Sequence, residues 1–448
     1  MADSLSFRIS SSSLMKFALP TILSTIFMNV YSLVDSLFVA NLVGTDALSA
    51  VNIAGPFLAV ALAVGTMIAT GGSALVGKEL GEGRKLKAKE NFSFFLLFCT
   101  LASIIFTIAG IAFRHPLLYA MGADDTLYTL CEAYAVPLFI AVPAVMCSIL
   151  IEIFLVTAGR PGLSFALSFA GGVTNIVLDW LLIGVFGYGV AGAAWATGAG
   201  YILQSIIGIC FFAFRRNESL TIVKPKCSFR EFCLASGNGA SEMMGMLAVT
   251  VTMVTMNTIM MRISGSDGVA ASAVVLAAQS ILSSLYMGYS QGIAPVISYN
   301  CGSGNSDNMK RIFRYALITI AVLSLLTFAL TYLSARPLAA LYADGNENVT
   351  VLSVRGIRVS APAFLFMGFN LFASSFFTSL NDGRTSALLA FMRTLVFLML
   401  PLLVLPLVFG TDGVWLSIPA AEILGFLMAV ICFRRMKSVY NMSERSRT

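Results

Sequence analysis

The sequence predicts an all-α polytopic membrane protein made of two similar halves, and its composition gives the first reason. Of the 448 residues, 58% are hydrophobic and only 11% are charged, whereas a soluble domain carries about 25% charged residues. A water-soluble fold of this length could not cover so much apolar surface. The second reason is an internal repeat, and the third is a series of apolar segments long enough to cross a bilayer.

The repeat becomes visible when the chain is aligned with itself so that Gly44 falls on Gly265. In the same register, without a gap, Gly71 falls on Gly292, Gly81 on Gly302, Gly83 on Gly304 and Pro116 on Pro337. Further on, Gly159-Arg160 falls on Gly383-Arg384 at an offset of 224, and Gly192 falls on Gly413 at 221 again. These are glycines and prolines, where backbone geometry is most demanding. Two equivalent apolar halves are typical of a membrane transporter whose substrate path runs between them.

Twelve apolar segments are predicted to span the membrane, since a spanning helix needs about 20 mainly apolar residues. They show no polar/apolar alternation, which favours helices over strands. The segments are 14–40, 47–77, 91–113, 130–157, 163–186, 190–213, 235–261, 268–298, 312–334, 352–379, 386–409 and 412–434. They divide the chain into an N-terminal six-helix bundle (1–214), a cytoplasmic connecting loop (215–234), and a C-terminal six-helix bundle with a basic tail (235–448).

The distribution of lysine and arginine predicts that both termini lie in the cytoplasm. Most of the 28 basic residues fall in the N-terminus, the even-numbered loops and the C-terminal tail up to Arg447, and the positive-inside rule assigns such segments to the cytoplasmic side. This distribution accounts for the net charge of +6 without any bound nucleic acid. The N-terminus lacks the pattern of a signal peptide. We therefore expect a multi-pass protein of the plasma (inner) membrane, and a monomer because each half has enough helices for its own bundle.

Cysteine and histidine usage argues against a structural metal site or a disulfide framework. The chain has 8 cysteines without a CxxC pair, one of them Cys227 in the connecting loop, and a single histidine, His115. The sequence also contains no ATP-binding P-loop. Transport is therefore expected to draw on an ion gradient, with H⁺ or Na⁺ as the coupling ion and no other cofactor.

Ionisable residues inside the predicted spans are candidates for function, because a charge within the bilayer is costly. The candidates are Asp35, Glu152, Asp179, Glu242, Arg393 and Glu422. The alternative for each acid is a position near the end of its span, from which the carboxylate reaches water.

Two of these acids lie in patterns that suggest a cation or proton site. Tyr31 and Asp35 are four residues apart and share a helix face, so the hydroxyl could bond the carboxyl group. Asn175 and Asp179 repeat this spacing in span 5, and amide and carboxylate oxygens suit a hard cation. Thr197 lies on span 6, and the short loop between spans 5 and 6 could bring its hydroxyl alongside Asp179. If the two acids approach each other, they should not both stay charged in a low-dielectric site, so a proton or a cation must bind.

The ordered set of motifs resembles the multidrug and toxic compound extrusion (MATE) family over nearly the whole chain. The motifs are Leu19-Pro20, Val34-Asp35, Gly77 to Gly83, Asn175 to Asp179, Gly189 to Thr197, Gln291 to Pro295, Tyr299 to Gly302, Arg393, and Gly413 to Glu422. The resemblance implies two six-helix bundles that form a V around a central cavity. It also implies antiport of drugs against H⁺ or Na⁺ by alternating access.

The resemblance assigns residue roles in the N-terminal half. It implies that the coupling cation, H⁺ or Na⁺, binds at Asp35, Asn175, Asp179 and Thr197, with Tyr31 beside them.

Two departures from the family pattern affect what is expected elsewhere. Some relatives have a second cation site formed by acids in spans 7 and 10. Glu242 could fill the first position, but span 10 has no acid before Asp382, so a second-half sodium site is not expected. In span 5, Trp180 stands where many relatives have proline, which predicts a locally straighter helix.

The substrate cavity has no sharp motif, but its chemistry can be predicted. Methionine and aromatic side chains make soft surfaces that adapt to varied ligands. We expect Met256, Met287, Tyr289 and Phe376 to contribute to the lining, and Glu152 and Glu242 to attract cationic aromatic compounds. For each apolar residue, contact with lipid is the alternative.

Two other functions compete with multidrug export. A lipid or metabolite flippase of the same superfamily would share the fold, since fold does not fix cargo. It would be expected to carry several cations in its cavity for phosphates, whereas only Arg393 lies clearly within a span. An intramembrane hydrolase using two aspartates is the other alternative, and it gives the two equivalent halves no role.

Overall fold

The computed structural model describes residues 5–215, 218–226, 228–342 and 346–445. Cys227 and Arg447, which enter the predictions above, lie outside these ranges. The described residues form helices without any strand. The α-helices are α1 (Ser11–Leu42), α2 (Thr45–Gly81), α3 (Lys85–Ala112), α4 (Arg114–Ala120), α5 (Tyr128–Thr157), α6 (Pro161–Asp179), α7 (Gly189–Phe214), α8 (Phe229–Asn238), α9 (Ala240–Gly302), α10 (Ser306–Tyr342), α11 (Glu347–Ser360), α12 (Phe364–Ser379), α13 (Gly383–Phe391), α14 (Phe397–Phe409) and α15 (Thr411–Arg445).

The number of membrane spans agrees with the sequence. Eleven helical segments of the described chain are long and apolar enough to cross a bilayer. One of them, α9, has 63 residues and contains a non-helical Gly265 with φ 64° and ψ −151°. A positive φ of this kind is a conformation that glycine adopts without strain. Since α9 consists of two spans joined at Gly265, the described residues contain the twelve predicted spans.

Span 5 leaves α-helical geometry at its acid, although it lacks the proline that would force a kink. α6 ends at Asp179, and residues Trp180–Val185 continue as a π-helix. The amide of Trp180 donates to the carbonyls of Ile176 and Val177. A straighter span was expected from the replacement of proline by Trp180. The observed π-helix instead keeps an irregular backbone beside Asp179, and such bulges are common at functional sites.

The repeat seen in the sequence recurs in the packing of helix hairpins. In the first half, a Cβ on Gly192 of α7 would lie 3.2 Å from the carbonyl carbon of Leu182. In the second half, a Cβ on Gly413 of α15 would collide with the carbonyl of Leu405. The two hairpins therefore close through the same glycine contact.

The two halves pack together where α1 and α2 meet α9. A Cβ on Gly81 would collide with the carbonyl of Tyr299, and a Cβ on Gly302 with that of Lys78. We call this region the closed end, and it comprises the α2–α3 turn, the C-terminal part of α9 and the first half of α1. Hydrogen bonds reinforce the contact further along α1, since Thr25 Oγ1 donates to the Ser284 carbonyl at 2.9 Å.

The connecting segment contains a helix that touches both halves. α8 packs Phe232 against Phe95 and Phe98 of α3, with ring centroids 5.4 and 4.6 Å apart. At its other end, Asn238 Nδ2 donates to the carbonyl of Thr378 on α12 at 2.7 Å. The segment predicted as a loop is therefore partly a helix that bridges the halves at the closed end.

Addition of a single methyl group to a glycine should disturb the packing at the closed end. We expect Gly302→Ala to separate the halves there, because its Cβ would collide with the Lys78 carbonyl. Overpacking of this kind costs about 1–3 kcal/mol. Spin labels at the exposed positions Leu86 and Asp307 should report a longer distance by electron resonance, and thermal unfolding should begin at a lower temperature.

The matched control is Gly245→Ala, since Gly245 also lies in α9 but a Cβ there meets nothing within 4 Å. It should leave the label distance unchanged and should not lower the unfolding temperature, because alanine is favoured over glycine inside a helix. Equal behaviour of the two variants would mean that close backbone contact does not hold the halves together.

Candidate functional site

The two acids singled out in the N-terminal half meet in the structure. Asp179 closes α6 and is fully buried, with 0% of its surface exposed. Asp35 lies on α1, and its carboxyl group is close enough to that of Asp179 to share a hydrogen bond when one of them carries a proton. The sequence could suggest each acid singly, whereas their contact depends on the packing of α1 against α6.

The oxygen atoms of this site are short of partners. Both carboxyl oxygens of Asp179, Oδ1 of Asp35 and Oδ1 of Asn175 are buried, and none of them has a hydrogen-bond partner among the described residues. A buried oxygen without a donor is destabilising. An additional proton or a small cation would satisfy this set, and carboxylate and amide oxygens are suitable ligands for a hard cation. Asp35, Asn175 and Asp179 therefore fit the predicted cation site.

Thr197 and Tyr31 lie beside Asn175, and their hydrogen-bond partners differ from the simplest expectation. Asn175 Nδ2 donates to Thr197 Oγ1 at 3.3 Å, which links α6 to α7. The hydroxyl of Tyr31 lies 3.5 Å from that of Tyr201 on α7. Sequence spacing paired Tyr31 with Asp35 and held no signal for Tyr201, because the two tyrosines are 170 residues apart.

A small cavity adjoins these residues. Its volume of about 10 Å³ is close to the minimum that holds one water molecule. Its lining residues are Tyr31, Gly171, Asn175, Thr197, Gly200, Tyr201 and Gln204. The glycines allow the helices to come together, since a Cβ on Gly200 would lie 2.7 Å from the carbonyl of Gly171. A larger side chain at Gly200 would push α6 and α7 apart at the site.

Glu152 extends this site on the side of α5. Its carboxylate accepts a hydrogen bond from the hydroxyl of Ser168, which fixes it against α6. It also lies within electrostatic range of both Tyr31 and Tyr201. Glu152 is thus a third acid of the N-terminal half, near the two tyrosines and five residues before the end of α5.

The C-terminal half holds a separate polar cluster. Arg393 forms a forked ion pair with Glu422, with Nη2–Oε1 at 2.7 Å and Nε–Oε2 at 3.0 Å. Asn370 Nδ2 donates to the same carboxylate at 2.6 Å. Glu242 on α9 lies within electrostatic range of Arg393. Both charges predicted inside spans 11 and 12 are therefore paired with each other, a contact that the sequence did not reveal.

The expected cavity lining is only partly compatible with this conformation. Met256 is 1% exposed, in a core with Met260 and Trp415. Tyr289 and Phe376 are 0% and 2% exposed. Both belong to a cluster that also contains Leu14, Ala18 and Ile22 of α1. The expectation that these three side chains line a cavity is therefore not met here, because two of them seal the closed end and the third fills a helix core. Met287 is partly exposed, and its role stays a prediction.

The chain is similar to known proteins over most of its length. The profile of the MatE family matches residues 20–181 and 243–403, one match in each half. The Multidrug export protein MepA of Staphylococcus haemolyticus is 23% identical over 96% of this chain and 94% of its own length. MepA of Staphylococcus aureus strain MRSA252 is 21% identical over 93% of this chain and 92% of its own length.

Solved structures share the same arrangement of helices. The outward-facing conformation of a multidrug resistance MATE family transporter superimposes with a TM-score of 0.90 at 21% identity, over 96% of this chain and 97% of that chain. A transporter of the MOP superfamily from Pyrococcus furiosus, described as having a binding pocket of reverse polarity, gives 0.88 at 21% identity, over 95% and 96%. The predicted fold of two six-helix bundles in a V is therefore confirmed.

The unpaired oxygens predict an unusual response to substitution. In sodium-free buffer at alkaline pH, Asp179→Asn should raise the unfolding temperature, because an amide can donate to Oδ1 of Asp35 or of Asn175. Removing an unsatisfied buried group is worth about 1–3 kcal/mol. The measurement is thermal unfolding of the purified protein in detergent.

Glu79→Gln is the matched control, since Glu79 is a buried acid whose oxygens are satisfied. Its carboxylate accepts from Asn91 Nδ2 at 2.9 and 3.0 Å and lies 3.5 Å from Lys87 Nζ. This variant should be destabilised. If Asp179→Asn is destabilised to the same degree, the oxygens of Asp179 are not short of donors in the folded protein.

Proposed function

Since the chain belongs to the MatE family of membrane transporters, we propose that it is a multidrug exporter that exchanges cationic, aromatic compounds for H⁺ or Na⁺. The exchange takes place by alternating access between the two halves. The relatives that match almost the whole chain are named multidrug export proteins. The coupling ion binds in the N-terminal half at Asp35, Asn175, Asp179 and Thr197, beside Tyr31.

The proposed coupling site rests on one observation, which is the set of buried oxygens that have no hydrogen-bond donor among the described residues. Two carboxyl groups in contact within the bilayer repel each other when both are ionised. A proton shared between them, or a cation held by both and by the Asn175 amide, removes that repulsion. Loading and unloading of the site therefore changes the charge buried between α1 and α6, and such a change can favour one conformation over another.

The same helix that carries Asp35 also takes part in the contact between the halves. On α1, Asn29 Nδ2 donates to Ser284 Oγ of α9 at 2.8 Å, and its Oδ1 accepts from Ser280 at 2.8 Å. Asn29 lies six residues before Asp35, which is about 9 Å along a helix. A shift of α1 on ion binding would reach these bonds directly. This is the structural route by which the ion can open or close the passage.

The closed end supports an assignment of the conformational state. It contains the α2–α3 turn, with Lys78, Arg84, Lys85, Lys87 and Lys89. The positive-inside rule assigns such a turn to the cytoplasm. The transporter is then closed towards the cytoplasm and faces outward, as does a solved relative of high structural similarity. In this state an exporter releases its substrate and takes up the ion.

The substrates are expected to be cations with aromatic rings. Acids within the bilayer attract such compounds, and Glu152 and Glu242 are the candidates in the two halves. Met287 is the remaining apolar candidate for the lining. Tyr289 and Phe376 would become accessible only when the closed end opens, so their contact with substrate belongs to the inward-facing state.

The coupling site can be tested by ethidium efflux from proteoliposomes, with a pH gradient and a sodium gradient imposed separately. We expect one gradient to drive efflux by the wild type. Asp35→Asn should reduce the driven rate by about tenfold or more, which corresponds to about 1.4 kcal/mol, because the amide removes an ionisable ligand. Asp46→Asn, a carboxylate-to-amide change at an exposed position in the first turn of α2, is the matched control and should transport normally.

Each other outcome points elsewhere. Normal driven efflux by Asp35→Asn would move coupling out of this site. Absence of ethidium efflux by the wild type under both gradients would favour a flippase or metabolite carrier with the same fold, and lipid-linked cargo would be assayed next.

A further inference from the structure

Arg393 and Glu422 lie in the C-terminal half at or next to positions that correspond to the lining of the small cavity in the N-terminal half. The hairpin contacts of Gly192 and Gly413 show that α7 and α15 are equivalent helices. When these two glycines are aligned, Tyr201 falls on Glu422 and Gln204 falls on Gly425. Tyr201 and Gln204 both line the small cavity beside Asn175. Glu422 therefore lies where the first half has a cavity-lining tyrosine.

The partner helices of the two hairpins correspond as well. The glycine of each hairpin packs against a leucine, which is Leu182 in the first half and Leu405 in the second. When these two leucines are aligned, Gly171 falls on Thr394. Arg393 thus lies next to the equivalent of a cavity-lining residue.

A polar side chain packs against a glycine in each half. In the first half a Cβ on Gly171 would collide with Gln204. In the second half a Cβ on Gly425 would collide with Asn370 and approach Arg393 to 3.5 Å. The glycine lies on α6 in the first half and on α15 in the second, and the polar residue against it comes from α7 and from α12, respectively.

The ion ligands of the first half are absent from the equivalent positions of the second. With the same two alignments, Asn175, Asp179 and Thr197 correspond to Leu398, Leu402 and Ile418. These three residues pack in the apolar cluster around Met256 and Trp415. The carboxylate of this half is Glu422, one turn further along α15, and a guanidinium already binds it.

The pair between Arg393 and Glu422 is well enclosed. Their side chains are 19% and 7% exposed. The carboxylate accepts from Nε and Nη2 of Arg393 and from Nδ2 of Asn370. A forked arginine–carboxylate pair is short and geometrically specific. Such a pair leaves Glu422 with donors at both oxygens, in contrast to Asp179.

We propose that Arg393 is a resident cation of the C-terminal half, which keeps Glu422 ionised and neutralised so that this half takes up no coupling ion. The N-terminal site alone then sets the number of ions exchanged for each substrate molecule. The statement on ion number rests on the proposed function, whereas the charge state of Glu422 does not depend on it.

The polar and charged groups around Glu422 come from three elements. Arg393 and Asn370 face it from the π-helical segment Met392–Val396 and from α12. Tyr286 on α9 lies within its electrostatic range, and Glu242 on the same helix lies within that of Arg393. Glu242 is thus a second acid with which the Arg393 guanidinium can interact if Glu422 is removed.

The test is infrared difference spectroscopy of the full chain in lipid, between acidic and alkaline buffer, with glutamate carboxyl groups labelled with carbon-13. The label separates glutamate bands from those of Asp35 and Asp179. We expect Arg393→Met to gain one titrating glutamate band that Arg393→Met/Glu422→Gln lacks. Arg393→Lys keeps a tethered cation and should resemble the wild type. In proteoliposomes, Arg393→Met should exchange about one more ion per ethidium than the wild type.

Several results would overturn the inference. One is a folded Arg393→Met protein that gains no glutamate band. Another is loss of a titrating band when Glu422→Gln is made in the otherwise wild-type chain, a comparison that does not require removal of the arginine. If the aspartate bands fail to respond to Asp35→Asn, coupling in the N-terminal half is wrong, and the glutamate result still stands by itself. An unchanged ion count with the new glutamate band present would remove only the conclusion on stoichiometry.

Discussion

The contact between Asp35 and Asp179 is the constraint on which the other features depend. Two acids at the meeting point of α1 and α6, with buried oxygens that lack donors, cannot be explained by stability. Well-packed apolar residues would serve the fold better at this depth. Proteins keep buried polar groups without hydrogen-bond partners mainly at functional sites. This constraint also explains the glycines of α6 and α7, because the acids are enclosed only when these helices approach each other closely.

α1 joins the acids to the contact between the halves. The first half of this helix packs against α9 in the closed end, and Asp35 lies in its second half. Coupling needs an element that two sites bias together, and α1 is in contact with both of them. The hydrophobic cluster around Tyr289 and Phe376 includes Ile22 of α1, so opening the closed end would expose those aromatic rings as α1 withdraws.

The sequence could predict those features that leave a pattern in neighbouring residues. Spans follow from hydropathy, and Asn175 with Asp179 follows from a four-residue spacing on one helix. Tyr201 and the partnership of Arg393 with Glu422 depend on tertiary packing and left no such pattern. Met256, Tyr289 and Phe376 were assigned to a cavity because residue type alone does not distinguish core from lining. The π-helix after Asp179 also escaped prediction, because the backbone departs from α geometry there without a proline.

The two halves share one architecture but treat buried charge in opposite ways. In the first, two acids lack a resident cation, and their repulsion makes an exchangeable proton or ion necessary. In the second, Arg393 supplies the positive charge from the chain itself, and a forked pair of this kind costs much to break. A half that keeps its charge constant can hold its shape while the other half changes. In the proposed function, alternating access needs only one half to respond to the ion, and the second half is the surface against which α1 opens and closes.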